Sequence, residues 1–148
     1  VAFALLYEAA PRNPASAADH RNEGVVMNRI LVIDQDRHAT HKLGLACLDE
    51  SVGVAMADNV CEGVRVLLAD AISLVLLDAA ALRFSPRETA TLFDRVAPGV
   101  PVVVMVRPEM ELARIVALEL AGFRVVTKPV AVPDLLAKVA VDAESRRR

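Results

Sequence analysis

Apolar and polar positions alternate along the chain in blocks rather than residue by residue. Short aliphatic runs, Ile30-Leu31-Val32-Ile33, Val52 to Ala57, Leu74 to Leu77, Val102 to Val106 and Phe123 to Thr127, are separated by longer stretches of helical period. Runs of this length, apolar on consecutive residues, predict strands buried on both faces. Helices are expected over about His38 to Asp49, with Leu45, Ala46 and Leu48 as apolar surface. A second follows Asp58 or Asn59, which can cap it, and carries Val60, Val64, Leu67 and Leu68. Ser85-Pro86 opens a third, because serine caps well and proline suits the first helical position, and Pro98-Gly99 stops it. A fourth is expected over Glu109 to Ala121, with acids in its first turn and Gly122 closing it. A fifth spans Val132 to Ala143, with Pro133 near its start.

Five strands alternating with five helices predict an α/β fold, a doubly wound parallel sheet covered on both faces. In the flavodoxin-like strand order 2-1-3-4-5, strands one and three are neighbours at the switch point, where ligands gather at the carboxyl ends. Three strand ends carry charge: Asp34 and Asp36 after the first strand, Asp78 after the third, and Lys128 after the fifth. Each acid taken singly reads as a turn residue. As a set, Asp34 and Asp78 are clustered carboxylates that need a cation between them. Oxygen donors of this kind suit Mg²⁺, and a lysine across the site balances the charge and reaches a phosphoryl oxygen.

Composition narrows the picture. The chain has 148 residues, 55% hydrophobic and 3% aromatic, with net charge −2. Aliphatic layers therefore fill the core, and a base-stacking or basic nucleic-acid surface is excluded. Cys47 and Cys61 lie in separate expected helices without metal or redox spacing, which points to two reduced thiols in the cytoplasm. No apolar run is long enough for a membrane span. Residues 1–27 break the pattern with Pro11, Pro14 and Gly24. They read as a disordered tail, as a stretch ahead of a true start at Met27, or as a short docking piece. The last residues, 143–148, read as a basic, solvated tail.

Four ordered motifs now come together: Ile30-Leu31-Val32-Ile33-Asp34-Gln35-Asp36, Leu74-Val75-Leu76-Leu77-Asp78, Pro101-Val102-Val103-Val104-Met105-Val106 and Val125-Val126-Thr127-Lys128-Pro129. Together they resemble the CheY-like receiver domain of two-component response regulators, over residues 28–142. The resemblance implies a phosphoryl group accepted on Asp78 from a histidine kinase or phosphotransfer protein. It implies Mg²⁺ held by Asp34, Gln35, Asp78 and the carbonyl of Ala80, with Lys128 on the phosphoryl group. It implies a downstream protein partner on the face of the fourth helix, fifth strand and fifth helix, and a monomer or weak homodimer. Any chemistry is at most Mg-dependent self-phosphorylation and dephosphorylation.

Departures from the family pattern are equally legible. Gln35 replaces the second acid. Val106 stands at the position of the switch hydroxyl, and Val125 at that of the switch aromatic. Valine has threonine's shape without its hydroxyl. Arg107 follows where a small residue is usual; it either reaches over the acids or points to water, the latter being expected. The alternative function is a pseudo-receiver that binds a partner without phosphorylation, with Ile115, Leu118 and Leu120 spread around the fourth helix. A flavodoxin-like nucleotide enzyme is disfavoured because no Gly-rich loop follows the first strand. No output domain follows in this sequence, which implies action through another protein or a fragment of a longer chain.

Overall fold

The computed structural model describes residues 29–137, and the expected N-terminal tail and basic C-terminal end lie outside them. The strands are β1 (Arg29–Ile33), β2 (Gly53–Ala57), β3 (Leu74–Asp78), β4 (Val102–Val106) and β5 (Arg124–Thr127). The helices are α1 (Arg37–Asp49), α2 (Val60–Ala69), α3 (Pro86–Val96) and α4 (Leu112–Leu120), with a short 3₁₀ turn, Ala79–Ala81, after β3. A fifth helix, α5, is described over 132–137. All strand pairs are parallel, in the order β2-β1-β3-β4-β5.

Local chemistry sets the boundaries. The Asp36 carboxylate accepts from Ala39 N–H at 3.1 Å, so Asp36 is the cap and α1 begins at Arg37. Asn59, not Asp58, caps α2, accepting from Glu62 N–H at 2.9 Å, while the Glu62 carboxylate accepts from Asp58 N–H. Ser85 accepts from Glu88 N–H at 3.1 Å with Pro86 at the first helical position, as expected. β2 loses Val52 because its N–H donates to Cys47 O and closes α1. Phe123 likewise donates to Leu118 O and closes α4 behind Gly122, whose φ of 103° is open to glycine. The expected start of the fourth helix at Glu109 is wrong by three residues. Arg107-Pro108-Glu109-Met110 forms a turn, closed by Met110 N–H to Arg107 O, so the acids precede α4 instead of filling its first turn.

The sheet divides the interior into two apolar layers. Leu31, Ile33, Val75, Leu77, Val104 and Val106 face α2, α3 and α4, which contribute Val66, Phe93 and Leu118. Ile30, Val32, Leu74, Leu76, Val103 and Met105 face α1 and α5, which contribute Cys47 and Leu135. Alternation along each strand sends neighbouring residues to opposite layers. Two helical faces differ from the sequence expectation. In α1 the buried positions are Thr40, Gly44 and Cys47, while Leu45 and Leu48 are exposed. In α2, Val60, Val64 and Leu67 face the core as expected, but Val66 joins them and Leu68 is exposed. Glycines explain both, because they bring the helix axis close to the sheet. A Cβ on Gly44 would stand 2.8 Å from Met56 Cε, and one on Gly63 would stand 2.4 Å from Ile33 Cδ1. Hydrophobicity counts without that rotation point the wrong leucines inward.

Candidate functional site

The carboxyl ends of β1, β3 and β5 converge on one edge. Counting outward from Val32, Leu76 and Val126, alternation places Asp34, Asp78 and Lys128 all on the α1/α5 side of the sheet. There the Lys128 Nζ lies 2.9 Å from Asp34 Oδ2 and 3.0 Å from Asp78 Oδ1. Asp34 is the deepest member, with its side chain only 4% exposed. Its second oxygen, Oδ1, accepts from Asp36 N–H at 2.9 Å. Both Asp34 oxygens are therefore committed, one to an ammonium and one to the backbone. Asp78 is 14% and Lys128 23% exposed, so the cluster opens to solvent on the Asp78 side. Burial disfavours the charge on Lys128, but the bonds to Asp34 and Asp78 outweigh it and lift its pKa above the ordinary lysine range.

The expectation that the two acids and the lysine meet is met by these distances. The remaining residues stand apart. Gln35 is exposed at the rim. Asp36 cannot replace the missing second acid, because its exposed carboxylate caps α1, and the Ala39 N–H holds its pKa below the usual carboxylate value. Ala80 lies on the exposed side of the turn after Asp78. Val106, 1% exposed, points into the layer beneath α2–α4, away from the carboxylates. Val125 packs against that same layer, half-buried. Arg107 is exposed and makes no ion pair among the described residues, as expected for an arginine turned to water. The sequence did not signal a second ion pair at the opposite edge, Arg29 to Asp70 at 3.1 Å, with the Asp70 side chain fully buried. Nothing in the local pattern links those two residues; only the fold brings them together.

Among the described residues, no group of three or more His, Cys, Asp or Glu side chains is arranged to hold a metal ion. Two carboxylates nevertheless converge on one point, because both bind the same ammonium. Mg²⁺ takes one or two carboxylates and keeps several waters, so the Asp34–Asp78 pair fits its chemistry. Cys47 is buried and its thiol is pushed up to about 11 by burial, whereas Cys61 is exposed on α2. Neither belongs to the site. No helix among the described residues is long and apolar enough to cross a membrane.

No family model matches the chain. It is 30% identical over 129 residues to the transcriptional regulatory protein GlrR of Escherichia coli (strain K12), a match covering 80% of this chain. The same values hold for the transcriptional regulatory protein QseF of Escherichia coli O157:H7. The chain spans about 28% of the length of these curated relatives. Among solved structures, it is similar to a CheY-like response regulator receiver domain protein from Methanospirillum hungatei JF-1. That similarity has a TM-score of 0.68 at 22% identity, over 82% of this chain and 98% of that one. A two-component response regulator from Clostridium difficile gives a TM-score of 0.66 at 23% identity, over 81% of this chain and 97% of that one. The parallel order β2-β1-β3-β4-β5, with its acids and lysine at one edge, is thus the CheY-like receiver-domain fold of response regulators.

Proposed function

We propose that this chain is a receiver in two-component phosphorelay signalling, with Asp78 as the phosphoryl acceptor and residues 28–142 as the working domain. The observation that carries the reading is the Lys128 ammonium held between Asp34 and Asp78 at 2.9 and 3.0 Å. A carboxylate at the open end of a buried strand, with a fixed cation beside it, suits attack on a phosphohistidine from a histidine kinase or phosphotransfer protein. An Asp78 oxygen forms the new P–O bond as the P–N bond breaks, and the imidazole leaves with that electron pair. Lys128 is placed to donate to the phosphoryl oxygens as charge develops on them. Asp34, with its second oxygen held by Asp36 N–H, positions Lys128 from beneath.

Mg²⁺, when bound, neutralises charge on the acceptor and phosphoryl oxygens. Asp34, Asp78 and the Ala80 carbonyl would hold it, with Gln35 at the rim in place of a further acid. The setting is the cytoplasm, the protein acting as a monomer or weak homodimer. Incubation with acetyl phosphate and Mg²⁺, followed by intact-mass measurement, is expected to add one phosphoryl group to the wild type and none to Asp78→Asn. No gain in the wild type, or an equal gain in Asp78→Asn, overturns the reading.

A second reading is favoured by Val106 and Val125, which offer neither the hydroxyl nor the aromatic of the receiver switch. In it the domain is a pseudo-receiver that binds a downstream protein without phosphorylation. Leu112, Val116 and Leu120, spaced four apart on α4, are all exposed and would form the apolar part of that surface beside β5 and α5. Partner binding that is unchanged in Asp78→Asn would favour this reading over the first.

A further inference from the structure

The resemblance to receiver domains places a switch hydroxyl at the end of β4, where this chain has Val106. Val106 has no donor, and its side chain is buried in the layer opposite Asp78. The next residue is different in both respects. Asp78 is in register with Met105, and Met105 with Val126. Val106 pairs with Thr127, and the ladder continues through Lys128 N–H donating to Val106 O at 2.8 Å. Arg107 is thus the first residue beyond β4, as Lys128 is the first beyond β5. Strand alternation carried one residue past β4 would send the Arg107 side chain to the Met105 side, the side that holds Asp34, Asp78 and Lys128.

Charge decides what such a residue does. Two carboxylates and one ammonium leave the cluster at −1, with Lys128 already bonded to both acids. A phosphoryl group replaces the single charge of Asp78 with about −2, so the side chains of the modified site carry a larger net negative charge, which a cationic side chain can offset alongside Mg²⁺. Arg37, at the same edge, is taken by Asp58 at 3.2 Å. Arg107 is uncommitted among the described residues, and its planar fork matches phosphoryl oxygens better than a point charge does.

The geometry points to Arg107 as a residue that binds the phosphoryl oxygens on Asp78, doing from the α1/α5 side what Val106 cannot do from the other. In the unmodified protein it points to water; the phosphoryl group gives it a partner. This rests on Asp78 being the acceptor, as proposed above.

The test uses beryllofluoride, a non-transferable phosphoryl mimic, titrated with Mg²⁺ present and followed by ¹⁹F NMR. Arg107→Ala is expected to raise the half-saturating concentration about tenfold, the scale of one charge-assisted hydrogen bond. Arg107→Lys is expected to recover part of the loss. Arg95→Ala, which removes the same charge from the last turn of α3, is expected to leave binding unchanged. Wild-type binding with Arg107→Ala within about twofold of it overturns this inference alone, as does an equal loss in Arg95→Ala. A wild type that takes up no beryllofluoride overturns the acceptor reading and this inference with it.

Discussion

The two faces of the sheet have been built for different purposes. On the α1/α5 face, three strands end in charge: Asp34, Asp78 and Lys128 close over the apolar layer. On the α2–α4 face, the equivalent positions end in Val106 and Thr127, and the layer simply continues to the edge with Val104 and Val106. One residue of offset along a strand separates the two outcomes, since each step reverses the side chain. The contrast teaches where chemistry and its report part company in this molecule. The charged cluster is assembled on one face, while on the other the end of β4 is closed by the buried aliphatic side chain of Val106.

The sharpest way to break this contrast is to remove the cation. Lys128→Met is expected to destabilise the protein by about 2–4 kcal/mol, because it leaves the buried Asp34 carboxylate without its counter-ion. Adding Asp34→Asn should return much of that loss, giving a coupling that a double-mutant cycle in urea would measure. Strictly additive losses would mean that the ammonium and Asp34 do not act as a pair.

The glycines test the two apolar layers directly. Gly63→Ala places a Cβ 2.4 Å from Ile33 Cδ1 on the α2 side, at the residue before Asp34, and is expected to cost about 1–3 kcal/mol. Gly44→Ala meets only the far end of Met56 on the α1 side, at 2.8 Å, and is expected to cost less than about 1 kcal/mol, since that thioether can rotate away. Equal losses by chemical denaturation would show that the two layers are equally rigid.

The smallest effect is expected on α4. Leu112→Ser with Leu120→Ser should change stability by no more than about 0.5 kcal/mol per site, because these side chains are 74% and 83% exposed. A larger drop in the melting midpoint would mean that α4 is packed against something in the folded chain, and would remove it as a free partner surface.

Much of this was legible in the residues. Strand β4 is where the run Val102 to Val106 places it, because five consecutive apolar residues can only be satisfied by burial on both faces. Ser85-Pro86 carried enough local chemistry to start α3 without help from the rest of the chain. Alternating strands and helices were enough for a parallel, doubly wound sheet, since few right-handed topologies remain for such a chain. The acid and lysine at the strand ends followed from that order.

Tertiary structure decided the rest, and for identifiable reasons. Which leucines of α1 and α2 turn inward depended on Gly44 and Gly63, whose meaning appears only when a sheet lies beneath them. The start of α4 depended on a turn closing over Arg107 to Met110, a hydrogen bond that helix period cannot foresee. Arg29 and Asp70, 41 positions apart, became partners through the pairing of β1 with β3. The bond from Lys128 to Asp34, 94 residues away, is of the same kind. Local propensity and hydrophobic pattern are written residue by residue. Ion pairs across strands, and the face on which a residue emerges, exist only once the register is set.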